Sequence, residues 1–190
     1  MSTSLRWTSA DLESLSDDGK RYEIINGELY VSRQPHWNHQ YVCGRVFTAL
    51  QSSSEQTGAG QANLAPGLIF ADDDDVAPDV VWVSTARLAN ALGEDGKLHV
   101  APELVVEVLS QGTPNERRDR EVKLKLYSRR GVSEYWIVDW RLRRIEVFRR
   151  DETQLRLVAT LFESDVLETP LIPGFSRPVA YLFEGIVANA

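Results

Sequence analysis

The chain has 190 residues, 43% of them hydrophobic and 26% charged, the size of one globular domain able to bury a sizeable core. No apolar stretch approaches the roughly 20 residues that span a bilayer, and Met1-Ser2-Thr3-Ser4-Leu5-Arg6 carries no apolar leader core. The lone cysteine, Cys43, excludes an internal disulfide and a cysteine-pair zinc site. These features lead us to expect a single domain over residues 1–190, cytoplasmic and without a membrane partner, with Cys43 as a small buried apolar residue.

The net charge of −7 argues against a nucleic-acid partner, because phosphate binding draws on clustered Lys and Arg. Its distribution weakens that objection. Residues 1–113 hold 7 Lys and Arg against 16 Asp and Glu, residues 114–150 hold 12 against 6, and residues 151–190 hold 2 against 6. The basic middle segment is either the solvated face of a helix and a hairpin or the footprint of a polyanion.

In chain order, Thr8-Ser9-Ala10-Asp11 has the form of a capping box, so a short helix is predicted to run to Leu15. Tyr22-Glu23-Ile24-Ile25 and Glu28-Leu29-Tyr30-Val31 flank Asn26-Gly27, the pair that best tolerates a type I′ hairpin turn. From 36 to 56, Trp37, Tyr41, Val42, Val46, Phe47 and Leu50 recur at helical spacing. Residues 64–70 read as a strand, and Asp72-Asp73-Asp74-Asp75 as an exposed loop; the run lacks the spaced ligands and glycine of a calcium loop. Two interior strands follow, then a helix over 114–130 ended by Gly131. Strands over 134–139 and 144–148, an edge strand over 155–162 and a closing helix over 178–186 complete the chain. This order suggests an α/β or α+β fold with a mixed central sheet and helices on its faces.

Each of the two interior strands carries one acid. Pro78-Asp79-Val80-Val81-Trp82-Val83 and Pro102-Glu103-Leu104-Val105-Val106-Glu107-Val108-Leu109 are apolar runs in which Asp79 and Glu107 must offset the cost of burying a charge. A hard divalent cation such as Mg2+ provides that compensation, since it is held by one or two carboxylates together with substrate phosphate oxygens. It would polarise a phosphodiester and lower the pKa of a bound water. On the following helix, Val122, Leu126 and Tyr127 share one arc and Lys123 falls inside it, whereas Lys125 points away. Such a lysine either snorkels to solvent, the commoner fate, or projects its amine into a site, where burial would lower its pKa and suit it to a bound water. His36 and His39 lie one helical turn apart; without a third nitrogen ligand, packing or hydrogen bonding is the better reading. Ser110 and Thr113 stand where strand passes to helix and suit capping. Trp136 is read as core, and Asp139 as the end of its strand.

Tyr22-Glu23-x-x-x-Gly27-Glu28, His39, Pro78-Asp79-Val80, residues 102–110, Thr113, Asp119, Lys123, Tyr127 and Gly131-Val132-x-Glu134-Tyr135-Trp136-Ile137-Val138-Asp139 together resemble the bacterial Uma-two family, restriction-endonuclease-like proteins of the PD-(D/E)XK nuclease superfamily. The resemblance covers nearly the whole chain. It implies a restriction-endonuclease-like mixed sheet flanked by helices, with an N-terminal hairpin. It further implies metal-dependent phosphodiester cleavage, with Mg2+ or Mn2+ held by Asp79, Glu107 and the backbone carbonyl of Val108. The superfamily lysine, two residues after the glutamate, is replaced here by Leu109, and Lys123 takes its place from the helix. The same match suggests Glu28 as a further acidic ligand, against its ordinary reading as a solvent-facing turn residue; by position, His39 is a candidate for substrate contact, Ser110 for phosphate contact or capping, and Tyr127 for positioning the lysine or packing. A nucleic-acid substrate, DNA in the first instance, and a homodimer also follow from the resemblance. The alternative is a nucleic-acid or protein binding module that keeps the fold without turnover, although a pure binder gains nothing from a costly buried carboxylate pair.

Overall fold

The computed structural model describes residues 5–15, 18–110 and 112–187, with the Thr113 side chain outside that description. Residues 1–4, part of the segment read for a leader, also lie outside it. The capping box forms as expected on α1 (Ser9–Glu13), where Asp11 accepts the Thr8 N–H. The hairpin of β1 (Arg21–Ile25) and β2 (Glu28–Ser32) turns at Asn26 and Gly27, whose φ values of 53° and 75° are those a type I′ turn demands. The long helix α2 (Trp37–Thr57) is capped by the His36 ring, which accepts the Asn38 N–H.

Next come β3 (Gly60–Leu64), β4 (Leu68–Ala71), β5 (Asp74–Val76), β6 (Val80–Ser84), α3 (Thr85–Ala91) and β7 (Leu104–Val108). The downstream helix is built of α4 (Thr113–Arg117), a π-helical turn (Arg118–Lys123) and α5 (Leu124–Arg130), ended by Gly131 at φ 90°. Then β8 (Glu134–Asp139), β9 (Arg144–Asp151), β10 (Gln154–Phe162), β11 (Val166–Glu168), β12 (Ser176–Pro178) and α6 (Ala180–Phe183) follow.

Six strands form a mixed sheet in the order β10-β9-β8-β7-β6-β3, in which β7 and β8 run parallel and every other pair antiparallel. Both faces are covered, which is why its inner strands read as unbroken apolar runs. One face carries Val80, Trp82, Val106 and Trp136 against α2 and the C-terminal segment at Leu182 and Phe183. The other carries Val81, Val105, Tyr135 and Ile137 against Leu126 and Tyr127 of α5 and against Ile25 and Leu68. Those last two belong to a second, antiparallel sheet ordered β2-β1-β5-β4, which contains the hairpin. No described helix is long and apolar enough to cross a membrane.

Three local expectations are corrected. The strand expected over 64–70 is two strands in different sheets, broken at Ala65, where φ is 46°. Its first half starts earlier, at Gly60, where a Cβ would stand 2.3 Å from the Val83 carbonyl oxygen. The acidic run is a loop only in its first half: Asp72 and Asp73 form the turn between β4 and β5, with Asp72 exposed, whereas Asp74 and Asp75 are buried in β5. Asp74 accepts the Asn26 N–H at 2.8 Å and pairs with Arg129 at 2.9 Å and Arg130 at 2.5 Å, clasping the hairpin turn to the end of α5. The closing helix shrinks to α6, because β11 and β12 pair first, as three-residue strands too short to leave a periodic pattern.

Removing a buried acid that serves two arginines leaves their charges uncompensated. Asp74→Ala should cost about 3 kcal/mol of stability, read as a lower urea midpoint at unchanged slope; an unchanged midpoint would show the clasp to be dispensable.

Candidate active site

The β6–β7 ladder pairs Val80 with Val106, and one further step of the register brings Asp79 opposite Glu107. There the ladder ends and side chains take over. Asp79 Oδ2 accepts the Val108 N–H at 2.9 Å, while Oδ1 accepts from Arg21 Nη1 at 3.0 Å and lies 3.5 Å from His39 Nε2. Glu107 Oε1 accepts from Lys123 Nζ at 2.8 Å and from the Tyr127 hydroxyl at 2.9 Å. Asp79, Glu107 and Lys123 are 5%, 2% and 1% exposed, so these partners replace water almost entirely.

Lys123 therefore does not snorkel. Its amine also meets Glu23 Oε1 at 2.9 Å and stands 4.0 Å from Asp119. Glu23, on β1, is a site residue the sequence reading passed over, although it is an acid in an apolar strand just as Asp79 and Glu107 are. Its Oε1 also accepts the Ala77 N–H, and its Oε2 has no hydrogen bond and lies 3.7 Å from Arg118. The π turn places Arg118, Asp119 and Lys123 all on the buried side, and such turns cluster at functional sites.

Glu23, Asp79, Glu107 and Asp119 face Lys123, Arg21 and Arg118, four acids against three cations, with the His39 ring beside Asp79. Burial opposes ionisation of every acid, and the cations decide which of them stay charged. At Asp79, burial is outweighed by the His39 ring, Arg21 and Lys123, and the carboxyl is held well below the usual carboxylate range. At Glu107, burial wins over Lys123, helped by the charges of Asp79 and Asp119, and the carboxyl is pushed up to about 8. Asp119 rises to about 6, again through burial against the pull of Lys123 and Arg118. Burial would lower Lys123, but Glu107, Glu23 and Asp119 more than reverse it and keep the amine charged. The expected lowering of the lysine is thus overturned.

Arg21, Asp79, Glu107, Arg118 and Asp119 line a cleft of about 230 Å³ together with Lys20 and Arg33, whereas Glu23 and Lys123 are not part of its lining. His39, Val108 and Ser110 all line it, and Tyr127 supports it from below. Glu28 is not brought here: it is exposed, accepts from the Tyr30 hydroxyl and borders a separate surface cavity. Ser110 caps nothing, since the helix starts from Gly112 without a side-chain cap. His36 stacks on Trp140 at 4.8 Å, apart from His39's role beside Asp79. Trp136 is fully buried, and Asp139 accepts the N–H groups of Arg141 and Leu142 as its strand ends. The basic segment is largely paired within the protein: Arg117 with Glu121, Arg120 and Arg144 with Glu146, Arg141 with Glu116, Arg149 with Glu134.

A mixed sheet with two carboxylates at the open end of adjacent strands and a buried lysine beside them defines a restriction-endonuclease-like domain. The chain belongs to the Uma2 family, described as "Putative restriction endonuclease", whose profile matches residues 9–180. It is similar in structure to a protein titled "a putative nuclease belonging to DUF820" from Anabaena variabilis ATCC 29413, with a TM-score of 0.73 and 17% identity over 93% of this chain and 97% of that one. No curated protein matches in sequence.

Glu107 carries a pH signature. Between its usual value of 4.5 and about 8, the folded protein keeps a proton that the unfolded chain has lost, so this group's contribution to stability is full at low pH and falls as pH rises through that window. In EDTA, Glu107→Gln should therefore gain thermal stability relative to the parent between pH 5 and pH 8. The Asp119 charge acts on Glu107, so the comparison reads the two carboxyls together. A constant difference in Tm across that range would contradict the raised carboxyl.

Proposed function

We propose that this chain is a metal-dependent endonuclease that hydrolyses phosphodiester bonds in DNA, with Mg2+ or Mn2+ as cofactor, and that it acts as a homodimer. The observation that carries this reading is the juxtaposition of Asp79 and Glu107 at the floor of a cleft, with Lys123 on Glu107. Two carboxylates are the donor chemistry a hard cation takes. They also fit in detail: the hydrogen bonds to Glu107 from Lys123 and Tyr127 both fall on Oε1, so Oε2 is engaged by neither. The Val108 carbonyl would complete the protein's donor set. When bound, the ion would polarise the phosphate and acidify a water.

The side chains divide the remaining work. Asp79, ionised at neutral pH, supplies a charged oxygen at once, whereas Glu107 surrenders a proton as it becomes a ligand. Lys123, held as an ammonium, is unsuited to take a proton from water; it fixes Glu107 and Glu23 and opposes the negative charge that grows on the phosphate. Tyr127 orients Glu107 through the same oxygen. Arg21, bonded to Asp79 and open to the cleft, can meet the scissile phosphate, and Lys20 and Arg33 at the rim suit its neighbours along the strand. Cutting both strands of a duplex takes two such sites, which is the argument for two copies.

Plasmid, linear and single-stranded DNA incubated with purified protein and Mg2+, Mn2+ or EDTA tests this reading. The parent should cleave only with metal, and Asp79→Asn, Glu107→Gln and Lys123→Met should each lose roughly 100-fold or more in rate while remaining folded by circular dichroism. Folded variants that cut as fast as the parent would remove the site from these residues. Inert parent protein that still retards DNA in a gel would leave the binding-module reading in its place.

A further inference from the structure

Directly beside Asp79, on the α2 side, is a second donor set that the hydrolytic reading does not use. His39 and Cys43 are four residues apart on α2, so both project from one face of the helix. Their ligating atoms and a carboxylate oxygen of Asp79 all lie within 4.8 Å of one another, and all three residues are buried. Closing to the tetrahedral separations set by Zn–S bonds of ~2.3 Å and Zn–N bonds of ~2.0 Å takes a movement of roughly 1 Å. His39 is 4% exposed; its Nε2 lies 3.5 Å from Asp79 Oδ1, and its Nδ1 has no hydrogen-bond partner. His39 and Asp79 line the cleft, which gives an ion its way in, and Cys43 lies one helical turn further along α2.

We propose that His39, Cys43 and Asp79 form a binding site for a borderline-soft transition-metal ion, Zn2+ or Co2+, distinct in chemistry from the carboxylate site for a hard cation. A thiolate and an imidazole select such ions over Mg2+. Three protein ligands leave one tetrahedral position for a cleft water. As the metal–sulfur bond forms, the Cys43 thiol releases its proton to solvent. Because Asp79 belongs to both sets, Zn2+ at this site takes a ligand from the hard cation and acts as an inhibitor of the reaction proposed above. Only this last consequence rests on the nuclease reading; binding rests on the three residues alone.

Cobalt makes the site visible without any turnover. Cys43 is the only cysteine in the sequence, so a thiolate-to-cobalt charge-transfer band in the near ultraviolet reports this residue and no other. Co2+ titrated into metal-free full-length protein, with no nucleic acid present, should raise that band to saturation at one equivalent, and Zn2+ should bleach it. His39→Gln and Asp79→Asn should each weaken Co2+ binding roughly tenfold or more, and Cys43→Ser should abolish the band. Absence of the band in the parent overturns the site, as does a band that His39→Gln leaves at full affinity. The two readings separate cleanly: a protein that shows the band but cuts no DNA keeps this site and loses the nuclease, and one that cuts with Mg2+ but shows no band does the reverse.

Discussion

The buried ammonium of Lys123 is the charge on which the candidate site depends. An isolated ion in that position would cost several kcal/mol in lost hydration, and it is tolerated because two carboxylates meet it at hydrogen-bonding distance. Those carboxylates come from elements far apart in the chain. Glu107 arrives on β7 of the six-stranded sheet, and Glu23 on β1 of the four-stranded one. The ion pair therefore joins the two sheets through the helix packed against both. The hairpin is held a second time by Asp74, which grips the last turn of the same helix. Folding the hairpin correctly and assembling the site are in this sense one event.

Compensation within the cluster is incomplete, and that is its chemical content. A stable core would pair each acid with a base or replace both with apolar side chains at little loss. Here four acids face Lys123, Arg21 and Arg118, and burial pushes the Glu107 carboxyl up to about 8, which favours its protonated form in the metal-free protein. A proton can be exchanged for a metal ion, whereas an arginine cannot. The arrangement gives up some stability in the metal-free protein in return for a position that favours an incoming cation.

Asp79 and Glu107 were legible because an acid inside an apolar run has few explanations, and because antiparallel register follows from two adjacent strands. Glu23 obeyed the same rule and stood in the family motif without a role, since its strand precedes an Asn-Gly turn and looks like an exposed hairpin. Glu28, one residue past that turn, read equally as a ligand or a solvent-facing turn residue, and it is exposed. The burial of Lys123 was not readable from its helix, because the acids that draw it inward lie on strands 16 and 100 residues away. Asp74 shows the same limit: composition cannot tell which aspartate of a turn is solvated and which is clasped by arginines 55 and 56 residues downstream. The surplus of basic residues at 114–150 read equally as a solvated face or a polyanion footprint, and much of it pairs with acids of the same chain.

The π turn at Arg118–Lys123 sets a conflict inside one helix. A regular α-helix would hydrogen-bond better, and loss of a single residue from this stretch would restore it. If instead the stretch regularised with every residue kept, everything beyond it would turn by about 100° relative to everything before, taking Arg118 off the face that carries Lys123 and Tyr127. The wide turn gives up helix regularity for the site. The segment is consequently one where the backbone hydrogen-bonding pattern, as much as residue identity, holds the cluster together.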